Sequence, residues 1–291
     1  MNAPAPISAL TPGLSVLAPH YDALLCDVWG VLHNGIASFP ETSEALTRFR
    51  QGGGTVVLIS NAPRPGDGVG RILDRLGVPR SAYDDIVTSG DVTRGQIAAR
   101  PGATVFHVGP SRDLPIFSGL DATLGPLATA DYVVCSGLFD DETETPDDYR
   151  AMFGEMRGRG LAMICANPDL VVERGDRLIY CAGAIADLYA TLGGEVTFAG
   201  KPHGPIYDRA LERVAALRGA PVPLARVLAV GDSVRTDVTG AARAGVDCLF
   251  VTAGIHAEEL GGRETPDLAV LARILAADGL MPRAVMRRVV W

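Results

Sequence analysis

Four groups of residues occur along the chain in an order that metal-assisted phosphoryl transfer through an aspartyl intermediate requires. The first is Asp27, directly after the unalternating apolar run Ala23 to Cys26. Such a run reads as a parallel strand buried on both faces. A carboxylate at its end stands where open α/β sheets place their ligands. The second group is Ser60 with Asn61, closing the apolar run Thr55 to Ile59. The third is Lys201, in a loop marked by Gly200, Pro202 and Gly204 before the helically spaced stretch Ile206 to Val214. The fourth is Asp232 and Asp237, in GDSVRTD after the run Val227 to Val230. Each has a plainer reading alone: an acidic turn for Asp27, a cap for Ser60, a surface lysine for Lys201. In order they supply a nucleophile, a phosphate anchor, a neutralising cation and a carboxylate pair.

The elements between them must bring these groups to one sheet edge. Gly30 and Gly35 give the chain its freedom to turn away after Asp27. Glu41 to Gln51 reads as a helix closed by Gly52, and Gly70 to Leu76 as a short amphipathic helix closed by Gly77. Ile86 to Ser89 reads as a strand with Thr93 to Arg100 helical behind it. Pro101 and Gly102 mark a boundary. Beyond it TVFHVG, a helix-like stretch near Leu114, DYVVCSGL, a helix through Tyr149 to Arg157 and LAMICAN alternate strand with helix. That is a second α/β unit ending near Phe198. Thr236 to Ala244 reads as a helix closed by Gly245, CLFVTAG as a strand, the tail from Pro266 as a helix, and Val289 to Trp291 as a packed edge. The Pro- and Ala-rich start, Met1 to Leu14, reads as loosely packed.

Composition narrows the classes. The chain has 291 residues, 47% hydrophobic and 21% charged, as in ordinary globular proteins. A net charge of -8 argues against a nucleic-acid partner. It is compatible with a small phosphate ester, because one lysine, backbone N–H groups and a cation can make a single pocket positive. The acidic run Asp140 to Glu144 reads as a solvated loop, and Arg283, Arg287 and Arg288 as surface. Cys26, Cys135, Cys165, Cys181 and Cys248 show no metal-like spacing and lie mostly in apolar runs, as buried free thiols in a reducing compartment would. No stretch has the apolar length of a membrane span, and the N-terminus lacks a signal-like pattern. These features predict a soluble, cytoplasmic protein with no membrane partner.

The ordered motifs make the chain resemble the haloacid dehalogenase superfamily of aspartate-nucleophile hydrolases. The closer likeness is to class IIA, the NagD-like and p-nitrophenylphosphatase-like branch. CANPDLV (Cys165 to Val171) and CAGAIADLYATLGG (Cys181 to Gly194) are similar to that branch's NPD and GAGAI stretches. The resemblance covers nearly everything from Leu17 to Gly254. It implies a doubly wound, Rossmann-like parallel sheet core (residues 15–100 and 199–291) with an inserted α/β cap of the C2 type (residues 101–198). It also implies a small phosphorylated metabolite as substrate and a homodimer through the cap. Asp27 would attack phosphorus. Mg2+ would be held by Asp27, the backbone carbonyl of Trp29 and Asp232, with Asp237 binding through water or orienting Lys201. Ser60, Asn61 and Lys201 would hold the phosphoryl oxygens. Asn167 and Asp169, then Gly183 and Ala184, are the cap positions expected near the substrate.

One departure stands out. The family's phosphatases carry a second Asp two residues after the nucleophile, acting as general acid and base. Here that position is Trp29, whose indole has no ionisable proton near neutrality. Three readings follow: a phosphatase confined to good leaving groups or borrowing an acid such as His33; a dehalogenase-type reaction on the same nucleophile; or a binding or regulatory protein that has lost turnover.

Overall fold

In the computed structural model, which describes residues 9–174 and 177–291, the runs that end in the candidate residues are strands of one parallel sheet. Most of Met1 to Leu14 falls outside the described residues. In chain order the strands are β1 (Ala23–Asp27), β2 (Thr55–Ser60), β3 (Asp85–Thr88), β4 (Ala103–Val108), β5 (Ala122–Leu124), β6 (Tyr132–Cys135), β7 (Met163–Cys165), β8 (Val171–Arg174), β9 (Arg177–Tyr180), β10 (Val196–Phe198), β11 (Val227–Gly231), β12 (Asp247–Val251) and β13 (Ala284–Met286). The helices are α1 (Pro40–Gln51), α2 (Gly66–Arg75), α3 (Ser89–Ala98), α4 (Arg150–Gly158), α5 (Ala182–Thr191), α6 (Gly204–Arg218), α7 (Thr239–Ala244) and α8 (Leu268–Ala277).

The described chain divides into two compact units. One comprises the residues up to Ser60 with Gly70–Ile86 and Tyr207–Trp291, the other Asn61–Val69 and Val87–Ile206. The first carries a six-stranded sheet in the order β13-β12-β11-β1-β2-β3. β1 lies between β11 and β2, parallel to both, with Leu25 opposite Ala229 on one side and Val57 on the other. Every residue of β1, β2 and β11 is buried, which is why these segments are continuous apolar runs without alternation. From β1 the chain winds outward through β2 and β3, then returns to add β11, β12 and β13 on the other side. The strand order therefore reverses between β1 and β11, the position at which a doubly wound sheet opens a crevice at its carboxyl edge.

The second unit, inserted in the sequence, has its own parallel sheet, β10-β7-β6-β4-β5, and an antiparallel hairpin, β8-β9. Its strands alternate between two apolar layers. Val133, Met163 and Cys165 pack with Phe153, Met156 and Tyr189 on one face. Val105, Val134 and Ile164 pack with Ile97 and Ile116 on the other.

Several local expectations are corrected. α2 begins at Gly66, immediately after Pro65, because proline is excluded from helix interiors but not from the residue before one. α3 begins at Ser89, since Thr88 and Asp91 form a reciprocal capping box. The stretch from Val234 is a π turn to Val238 that runs into α7, with the Val238 N–H donating to the Ser233 carbonyl at 3.1 Å. The strand at the sheet edge is Ala284–Met286, not the last three residues. The acidic run is a largely exposed loop, as expected, and its Asp141 and Glu142 pair with Arg174 at 2.8 and 2.7 Å. All five cysteines are buried free thiols. No described helix is long and apolar enough to cross a membrane.

Candidate active site

At the carboxyl edge of the first sheet, Asp27 ends β1 and Asp232 follows β11 by one residue. Asp237 is brought back to them by the π turn. One carboxylate oxygen from each of the three lies within 4.8 Å of the others, and the residues are 8%, 5% and 2% exposed. Three carboxylates gathered out of water repel one another unless a cation offsets them. Three hard oxygen donors at this separation fit a divalent metal ion.

Glycines make the gathering possible. Gly30 has φ +82°, and a Cβ there would come within 3.0 Å of Asp232 Oδ2; so would one at Gly254. A Cβ at Gly231 would meet the carboxyl carbon of Asp237. Backbone donors then fix the two side chains: Ile255 N–H to Asp232 Oδ2 at 2.8 Å, and Ser233 N–H to Asp237 Oδ2 at 3.1 Å. Both bonds fix the direction in which the carboxylate oxygens point.

Trp29 is half-buried and stands edge-on to His33, with ring centroids 5.0 Å apart. A Cβ at Gly35, whose φ is +87°, would collide with the indole. His33 is 2% exposed, its Nδ1 accepts the Gly35 N–H at 2.9 Å, and burial pulls its pKa down to about 4. A group with that pKa holds no transferable imidazolium proton at pH 7. Its contacts to Gly35 and Trp29 brace the turn that carries the indole. Ser60 closes β2, 8% exposed.

The second unit holds the remaining predicted residues. The Asn61 amide spans two segments: Nδ2 donates to Asp169 Oδ1 at 2.8 Å and to the Lys201 carbonyl at 3.1 Å, while Oδ1 accepts the Lys201 N–H at 2.7 Å. Lys201 is 2% exposed, an unusual burial for a lysine. Asn167 Oδ1 accepts the Asp169 N–H at 3.1 Å, so the NPD stretch is a tight turn that also meets Asn61. Gly183 packs where a Cβ would strike the carbonyls of Pro168 and Asp169, and Ala184 follows it in the first turn of α5. Gly183 also meets the NPD turn through its backbone, its N–H donating to the Asp169 carbonyl at 3.1 Å, whereas the Ala184 N–H donates to the Cys181 carbonyl.

The sequence alone did not single out Thr88, Arg64 or Asp113. The Thr88 hydroxyl donates to the Arg64 carbonyl at 2.7 Å, and the Gly90 N–H to the Ala62 carbonyl at 3.1 Å, tying down the loop after Asn61. Arg64 pairs at 3.1 Å with Asp113, whose carboxyl is pushed up by burial. The T-x-x-D spacing was the available signal for the first. No local pattern marks the others.

Comparison with known proteins finds relatives of one family along the chain. Residues 24–122 match a family described as haloacid dehalogenase-like hydrolase, and residues 198–277 one described as HAD-hydrolase-like. A hydrolase of the haloacid dehalogenase-like family from Brucella suis 1330 shares 48% identity. It superposes with a TM-score of 0.86 over 97% of this chain and 100% of that one. A p-nitrophenyl phosphatase from Archaeoglobus fulgidus, 22% identical, matches with a TM-score of 0.72 over 93% of this chain and 97% of that one. A D-glycerol 3-phosphate phosphatase of Mycobacterium tuberculosis is 28% identical over 261 residues, 82% of this chain. The chain spans 65% of that protein's length.

Proposed function

The chain belongs to the haloacid dehalogenase-like hydrolase family, and from that premise we propose that it is a magnesium-dependent hydrolase of a small phosphate ester. The observation that carries this reading is the convergence of Asp27, Asp232 and Asp237 at the reversal point of the sheet. A bound Mg2+ would offset the charge of the phosphoryl group and of the carboxylates around it. Asp27, Asp232 and the Trp29 carbonyl would hold it, with Asp237 beside them.

Asp27 attacks phosphorus through a carboxylate oxygen. The bond from phosphorus to the ester oxygen breaks, and its electron pair leaves with that oxygen. Water then attacks the aspartyl phosphate, releasing phosphate and restoring Asp27. Motif order assigns Ser60, Asn61 and Lys201 to the phosphoryl oxygens. Asn61 also ties the backbone at Lys201 to Asp169, which gives it a part in holding that loop.

Trp29 decides the substrate class. With no carboxyl group at that position, the leaving oxygen departs as an anion. The reaction then suits acyl and aryl phosphates, whose leaving groups are stable unprotonated, over sugar or glycerol phosphates. Losing a general acid costs on the order of 10²- to 10⁴-fold.

Hydrolysis of acetyl phosphate, p-nitrophenyl phosphate and glycerol 3-phosphate, with and without Mg2+, tests this in wild type, Asp27→Asn and Trp29→Asp. The reading predicts Mg2+-dependent turnover lost in Asp27→Asn, and a gain in Trp29→Asp that is largest for glycerol 3-phosphate. Turnover in Trp29→Asp alone would instead identify a binding protein that keeps the pocket.

A further inference from the structure

A histidine that no motif covers reaches the same carboxylate edge from the neighbouring strand. After β12 the chain continues through Gly254 to Ile255, whose N–H is bonded to Asp232, and then to His256. The Nε2 of His256 accepts the N–H of Val234 at 3.2 Å, and its Nδ1 lies 2.9 Å from Glu259 Oε2. A carboxylate only accepts hydrogen bonds, so the shared proton belongs to Nδ1 and Nε2 presents its lone pair. The His256 side chain is 21% exposed and that of Glu259 56%, so the ring lies inward and its orienting partner faces water.

What the ring holds is the point of interest. Val234 opens the π turn, two residues after Asp232 and three before Asp237, and is 4% exposed. Its N–H is one of the leading donors that a helical turn cannot satisfy from within. The preceding N–H, of Ser233, is the donor that fixes Asp237. Moving Val234 therefore moves both carboxylates' attachments together: Asp232 through the chain, and Asp237 through Ser233.

We propose that His256, oriented by Glu259, is a positioning residue for the cation site, setting metal affinity by pinning the Val234 N–H at the start of the turn that carries Asp237. The proposal rests on the reading of Asp27, Asp232 and Asp237 as a Mg2+ site. It concerns the geometry of the carboxylates and gives His256 no part in bond breaking. Groups that orient metal-binding side chains from behind commonly change metal affinity by about 10- to 100-fold when removed.

Mg2+ binding measured calorimetrically on wild type, His256→Leu, His256→Gln and Glu259→Ala decides it, with thermal unfolding of each protein in the absence of Mg2+ alongside. His256→Leu is expected to weaken Mg2+ binding by about 10-fold or more. His256→Gln, whose amide oxygen can accept the same N–H, restores most of that affinity. Glu259→Ala, on the surface, weakens it by a smaller factor than His256→Leu, because the ring loses its orientation and its fixed tautomer. A lower unfolding midpoint in His256→Leu with wild-type Mg2+ affinity overturns the proposal, as it describes a structural histidine only. Should His256→Leu fail to fold, unchanged affinity in Glu259→Ala overturns it equally. A wild type that binds no Mg2+ is a separate outcome: it removes the metal reading itself, and this inference with it.

Discussion

Gly30 has two independent reasons to be glycine. Its φ of +82° is costly for any residue with a Cβ, and the space a Cβ would take is held by the Asp232 carboxylate. Gly30→Ala is therefore expected to act on stability and on the cation site at once. The backbone term alone is ~1–2 kcal/mol, and relieving the clash displaces Asp232 from the Ile255 N–H. Urea unfolding should show the loss of stability, and Mg2+ calorimetry a loss of affinity larger than Ala at an ordinary turn glycine, Gly53, produces. Equal Mg2+ affinity in Gly30→Ala and wild type would contradict the cradle. At this scale Asp27, Ser60 and Asp232 stood out because each ends or closely follows a buried strand, and Lys201 because glycine and proline mark its loop. His256 sits just past a strand too, but its side chain serves a backbone N–H on another strand's turn, and sequence spacing carries no trace of such a contact.

Elements were legible where burial imposes one pattern. β1, β2 and β11 are covered on both faces, so their sequences are simply apolar. The β8-β9 hairpin and three-residue β5 escaped because their residues follow local pairing and partial exposure rather than a period. The π turn escaped for a different reason. Its extra residue is dictated by the close approach of Asp237 to Gly231, which is a tertiary fact. The start of α3 was available in the sequence, and it matters: Thr88 caps the helix through the Asp91 N–H at 2.9 Å and also bonds the Arg64 carbonyl. Thr88→Val removes both bonds at constant shape and should cost ~1–2 kcal/mol. Thr88→Ser should recover most of it. Amide exchange localised to Asn61–Arg64 in Thr88→Val would show that the cap also secures the loop after β2; exchange confined to α3 would show a helix cap and nothing more.

For the whole molecule, buried histidines set how stability follows pH. His33 and His107 both titrate near 4 in the folded chain because burial disfavours the imidazolium, whereas an unfolded histidine titrates near 6.5. Between those values the unfolded chain binds more protons than the folded one. Stability is then complete above about pH 6.5 and is lost as pH falls toward 4. For fully buried His33, at about 1.4 kcal/mol per pKa unit, the loss by pH 4 is ~3 kcal/mol. His107, bonded to Ser136 at 2.8 Å and only partly covered, adds in the same direction. Asp113 opposes them: burial raises its carboxyl pKa, so its protonation at low pH favours the folded chain. The wild-type curve mixes these signs, and the difference between wild type and His33→Gln isolates one of them. Urea midpoints at pH 8, 6.5, 5.5 and 5 should converge between the two proteins on acidification, as wild type loses what His33→Gln never had. Parallel curves would mean that the His33 ring protonates without disturbing its turn. In that case the Nδ1 bond to Gly35, and the bracing of Trp29 with it, would have no energetic weight.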